Sequence, residues 1–183
     1  MSIVIRHIDR AAANDAVTRW HRHHKPVRAA YFQAGAYRTT DVDPSGELVG
    51  VAIVGRPNAP ALCTSGTVAE VLRVATPGGP IAEHAASKLL GACWSAARGL
   101  GFRRLVSYTR ADEAGTSYRA AGWRRTARVK GREWAGENKP GRWLELDGVS
   151  LFEATTETID RVRWEIGPDA APALDREAFG VGR

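Results

Sequence analysis

The order of elements between residues 70 and 123 constrains this chain more than any other feature. Ala69-Glu-Val-Leu-Arg-Val-Ala75 reads as a strand, and it runs into a glycine-bearing loop, Thr76-Pro-Gly-Gly-Pro80. A long alanine-rich helix is predicted over 81–99, because Ala85, Leu89, Ala92, Cys93, Ala96 and Leu100 recur at helical spacing. Pro80 is tolerated in a first turn, where its missing N–H is not needed, and Glu83 suits the positive end of the helix dipole. Gly99 and Gly101 close the helix. A second strand, Arg103-Arg-Leu-Val-Ser-Tyr-Thr109, leads to a short helix over 112–121 that Gly122 caps, with Trp123 folding back. A loop that feeds a helix N-terminus gathers unpaired backbone N–H groups and a partial positive charge, so it can hold a phosphate.

The rest of the chain supplies more strands and one more helix. Ser2-Ile-Val-Ile-Arg-His-Ile8 is a first strand, and a helix is predicted over 10–24, with Asp9 and Asp15 near its start and Lys25-Pro26 as its stop. A strand over 29–37 and the strongly apolar 47–55 form an antiparallel hairpin around the turn cluster Asp41-Val-Asp-Pro-Ser-Gly46. The second of these is expected to be buried on both faces. Residues 124–130 extend a strand, 131–140 form a loop, and Arg161-Val-Arg-Trp-Glu-Ile166 alternates as a last strand. Trp134, Trp143 and Trp164 are read as anchors of loops onto the core. The sum is an α/β fold with a mixed sheet, one domain over 1–166 and a loose tail over 167–183.

Composition narrows the function classes. The chain has 183 residues, 44% hydrophobic and 25% charged, which is ordinary for a globular domain with its own core. No apolar run approaches the ~20 residues a membrane span requires, and the N-terminus lacks the apolar core of a signal peptide, so a cytoplasmic location is expected. The two cysteines, Cys63 and Cys93, form no C-x-x-C pair, and Cys93 reads as a small core residue. The net charge of +6 favours acidic partners, either a phosphate-bearing cofactor or DNA. In Trp20-His21-Arg-His23-His24-Lys25-Pro26, His21 and His24 share a helix face, but no Asp, Glu or Cys nearby completes a metal site, so none is expected.

The element order over about 1–130, and the motifs over about 69–123, resemble the GNAT superfamily of acyl-CoA N-acyltransferases. That resemblance implies a mixed, mostly antiparallel sheet flanked by helices, and acetyl-CoA as co-substrate. The superfamily binds the CoA diphosphate through Gln or Arg, two residues, Gly, one residue, then Gly or Ala. Two registers fit, Arg73-Val-Ala-Thr-Pro-Gly78 and Ile81-Ala-Glu-His84-Ala-Ala86, and the second is preferred because Ser87-Lys-Leu-Leu90 continues it. Thr76 or His84 then stands where the family has its first glycine. The implied cofactor contacts are Val74 and Ala75 on the strand, with Ala82, Glu83, His84, Ala85, Ala86 and Ser87 at the helix start. The resemblance also makes Tyr118 the acid for the leaving thiolate, four residues before Gly122-Trp123. The family's preceding asparagine falls at Ala111. Glu70 is the candidate base, four residues before the Val74 N–H that would polarise the acyl carbonyl, and His21 or His24 beside the acceptor cleft is the alternative base.

The chain also resembles a narrower GNAT-like group of phages and mobile elements, through Trp20 to Pro26, Val54-Gly-Arg-Pro57, and Tyr108-Thr109 to Trp123. An amine acceptor is therefore expected, on a modified nucleobase, a partner protein or a small molecule. The competing expectation is a non-catalytic CoA- or nucleic-acid-binding accessory module, which the altered glycine loop favours.

Overall fold

The computed structural model describes residues 2–20, 26–131, 145–146, 149–150 and 159–174. Strand Ser2–His7 (β1) leads to helix Arg10–Trp20 (α1), whose first turn Asp9 caps by accepting the Ala12 N–H at 2.9 Å. Strands Phe32–Thr39 (β2), Glu47–Gly55 (β3) and Val68–Ala75 (β4) follow. Helix Ala85–Gly99 (α2), strand Arg104–Arg110 (β5), the short helix Thr116–Ala120 (α3) and strand Arg124–Val129 (β6) come next. Glu145–Leu146 (β7) and Val149–Ser150 (β8) pair with each other, and Arg161–Ile166 (β9) is last.

Seven strands form one sheet in the order β1-β2-β3-β4-β5-β9-β6. Among the described residues only β4 and β5 run parallel, and every other pairing in the sheet is antiparallel. The two faces of β3 explain its unbroken apolar run. Val49, Ala52 and Val54 pack beneath α2 with Leu89, Leu90 and Cys93, while Val51 and Ile53 pack against Ala13, Ala16 and Val17 of α1. Cys93 is fully buried, as its position among alanines predicts.

Several element boundaries differ from the sequence reading, among them α3, which begins at Thr116 rather than 112 because Gly115 at φ 62° precedes it. β2 begins at Phe32 rather than at 29. The long helix does not begin at 81: Pro80–Ala82 makes a separate 3-10 turn, and α2 starts at Ala85 because His84 adopts φ 64°, which no helix can pass through. The early part of the predicted tail makes defined bonds. Asp169 accepts two hydrogen bonds from Arg103 at 2.7 and 2.8 Å, and the Ala171 N–H donates to buried Glu165 at 2.8 Å. Residues 175–183 lie outside the described residues, as do Trp134 and Trp143.

Trp164 is the anchor expected of it, at 1% exposure on β9. Its indole N–H donates to the Thr109 hydroxyl at 3.0 Å, its ring stacks on Tyr118, and the Arg125 guanidinium lies over its face. The ring reaches the backbone of Gly115, where a Cβ would fall 2.1 Å from Trp164 Cζ2. Gly115 also has φ 62°, so only glycine meets both demands. Gly115→Ala should therefore destabilise the fold by about 2–3 kcal/mol, read as a lowered denaturant midpoint with an unchanged slope.

Candidate active site

The site begins where two strands part. β4 and β5 pair only through 68–70 and 104–106. Beyond that, β4 continues along β3 and β5 continues along β9. A bulge helps β4 turn away. Val54 pairs with Val71 and Ile53 with Arg73, which leaves Leu72 as the extra residue, lying over the bare Cα of Gly55. The carbonyl of Val71 has no strand partner from β5. It accepts the Ser107 hydroxyl instead, at 3.2 Å. Val74 and Ala75, the expected strand contacts, lie in this diverging portion of β4, opposite Ala52 and Val51 of β3.

Tyr118 reaches the fork from the face that α2 covers. Its hydroxyl lies 2.8 Å from Ser107 Oγ, while its ring stacks on Trp164 at 5.1 Å and meets the edge of Trp123 at 5.5 Å. Burial pushes the phenol up to about 12, against the opposing effect of the Ser107 bond, and the nearby charge of Glu70 adds to the rise. A phenol held this way stays protonated, so it can give a proton to a developing anion but cannot serve as a base. Ala111, at the family's asparagine position, is partly buried against the core.

Glu70 faces the opposite side of the sheet, as alternation along β4 requires: Ala69 and Val71 point into the core under α2, whereas Val68 packs with Leu62 and Val106. It is 4% exposed. Its carboxylate accepts the Asn58 backbone N–H at 2.8 Å and the Asn58 side-chain amide at 2.9 Å. Burial raises its pKa, and those two bonds, Arg73 and Arg161 hold the rise in check. A carboxylate raised in this way is a stronger base than a surface one. Asn58 is the residue whose hydrogen bonds fix the carboxylate. Nothing in Arg56-Pro-Asn-Ala-Pro60 signals that contact, because it depends on how the loop folds back over β4.

The expected cofactor contacts sit at the start of α2. The N–H of Lys88 bonds the His84 carbonyl at 3.1 Å, so His84 is the cap residue and the N–H groups of Ala85, Ala86 and Ser87 precede the first intrahelical bond. No side chain caps this end, since Ser87 Oγ donates to the His84 carbonyl at 3.0 Å. Ala82 and Ala85 are buried and offer only backbone to a ligand. Glu83 and His84 are exposed, with His84 Nε2 3.7 Å from Glu83 Oε1. Gly78 and Gly79 both have positive φ and open space where a Cβ would be. His84 is the one non-glycine residue of positive φ among the described residues, so the backbone there keeps a glycine-like turn while the imidazole points out to solvent. His21 and His24 lie outside the described residues. No group of three or more potential metal ligands occurs among the described residues. No described helix is long and apolar enough to cross a membrane.

The whole arrangement is the fold of the GNAT acyltransferases. Arabidopsis thaliana NAA60 in complex with acetyl-CoA superposes with a TM-score of 0.59 at 12% identity, covering 92% of this chain and 100% of its own. The ribosomal-protein-S18-alanine N-acetyltransferase of Escherichia coli gives 0.56 at 13%, covering 96% and 98%. A Bacillus subtilis acetyltransferase in complex with CoA gives 0.55 at 14%, covering 90% and 97%. No protein-family model matches the sequence, and no curated protein matches it.

His84→Gly should stabilise the protein by about 0.5–1 kcal/mol, because the left-handed conformation no longer carries a side chain. Urea unfolding of the two proteins would measure this directly.

Proposed function

We propose that this protein transfers an acyl group, in the simplest case acetyl from acetyl-CoA, to an amine. One observation carries the reading: a half-buried, protonated phenol stands at the mouth of the β4–β5 fork, where it can meet a departing sulfur. The start of α2 suits the other end of such a donor. Uncapped N–H groups at Ala85, Ala86 and Ser87 and the side-chain-free Gly78 and Gly79 fit a diphosphate. The solved structures with this fold that carry acetyl-CoA or CoA support the same choice of donor.

In this scheme Glu70 takes a proton from the incoming ammonium, directly or through one water, so that the free amine attacks the thioester carbonyl. The Val74 N–H stabilises the oxygen as it gains charge. Collapse expels the thiolate, which Tyr118 protonates. Glu70 and Tyr118 lie on opposite faces of the sheet at the fork, which separates the base that receives a proton from the acid that gives one. The motif resemblance of Trp20 to Pro26 and Val54-Gly-Arg-Pro57 to a GNAT-like group of phages and mobile elements, with the charge of +6, favours an acceptor amine on a modified nucleobase or a small molecule.

A second reading is a CoA- or nucleic-acid-binding module without turnover. His84 favours it, since a side chain stands where the family has glycine. Calorimetry with acetyl-CoA, followed by thiol release over a panel of amines, separates the two: heat without thiol supports the module. For the transferase, Tyr118→Phe should lower kcat by about tenfold or more with little change in acetyl-CoA affinity. Unchanged turnover would remove Tyr118 from the mechanism.

A further inference from the structure

Ser107 stands where the two arms of the fork touch. Its hydroxyl is 3.2 Å from the Val71 carbonyl and 2.8 Å from the Tyr118 hydroxyl, and the residue is 2% exposed. A carbonyl can only accept, so the hydrogen in the first contact belongs to Ser107. Ser107 then has only lone pairs left for its second contact, and the hydrogen there belongs to Tyr118. The resting chain of bonds therefore runs one way, from phenol to serine to carbonyl.

That direction cannot persist through acyl transfer. When Tyr118 gives its proton to a leaving thiolate, its oxygen becomes an anion on a ring that stacks on Trp164 and meets Trp123 edge-on. The hydroxyl already in contact with it is the one on Ser107, directly opposite Trp164 in the β5–β9 register. We propose that Ser107 is a positioning residue for the transfer, a two-position hydroxyl that accepts from Tyr118 at rest and turns to donate to it as the thiol leaves. This rests on the acyl-transfer reading above. The Tyr118 O–H bond breaks and an S–H bond forms. Ser107 keeps its proton and changes only its acceptor, from the neutral Val71 carbonyl to the phenolate. The attacking nitrogen loses its second proton as the intermediate collapses, and that proton, relayed by water, restores the phenol, while the proton first taken from the ammonium leaves through Glu70 to solvent. The exchange is favourable because a hydrogen bond to an anion is roughly twice as strong as one to a neutral carbonyl.

A double-mutant cycle tests this with thiol release as the readout. Ser107→Ala should lower kcat about tenfold with the KM for acetyl-CoA unchanged, and Ser107→Thr should retain turnover within about twofold. Ser107→Ala placed in the Tyr118→Phe background should cost nothing further, because the serine acts only through the phenol. A loss that adds in full to that of Tyr118→Phe would overturn the proposal, since it would mark simple packing. If Ser107→Ala does not fold, Ser107→Thr against the near-isosteric Ser107→Val decides, with activity in the first and its loss in the second supporting the switch. Equal activity in both would overturn it. Full turnover in Tyr118→Phe would overturn the acyl-transfer role of the phenol and this proposal together. A slow Tyr118→Phe beside a full-speed Ser107→Ala would overturn this proposal alone.

Discussion

The separation of β4 from β5 is the constraint on which the rest of the structure depends. Two parallel strands that share three residue pairs and then diverge leave backbone groups that a continuous ladder would have satisfied. The chain answers with side chains. Ser107 supplies the missing donor to Val71, the Leu72 bulge turns β4 onto β3, and β9 enters between β5 and β6 to carry β5 away. Each of these keeps the gap open.

The walls of the gap are held from both sides by buried groups. On the α2 face Trp164 fixes Tyr118 through a ring stack, and Gly115 allows the indole to come that close. On the other face Asn58 fixes Glu70 with two hydrogen bonds. Further along, Glu165 is fully buried, with Arg163 Nε at 2.8 Å, Arg104 at 3.7 Å and the Ala171 N–H at 2.8 Å. Among the described residues its Oε2 takes the one hydrogen bond, from Ala171, and two guanidiniums balance its charge. It ties β5, β9 and the segment after β9 together at the closed end of the fork.

Local signals made much of this fold legible in the sequence. The apolar run of β3 announced its burial on two faces, the alternation of 161–166 matched β9 residue for residue, and Gly99 marked the end of α2. The start of α2 was not legible, because a histidine in the left-handed region gives no compositional cue of the kind a glycine gives. Tyr118 and Glu70 stood out through motif spacing. Their partners did not: Ser107 and Tyr118 are eleven residues apart, Asn58 and Glu70 twelve, and Thr109 and Trp164 fifty-five. Such contacts are fixed by strand order. The placement of β9 between β5 and β6 is a long-range pairing that no local pattern encodes.

A crystal structure with acetyl-CoA bound tests the account most directly. The account places the thioester in the β4–β5 fork, its sulfur within hydrogen-bond reach of the Tyr118 hydroxyl and its diphosphate on the N–H groups of Ala85, Ala86 and Ser87. A donor lodged elsewhere, or a fork closed by a β4–β5 ladder running past Ser107, would contradict it.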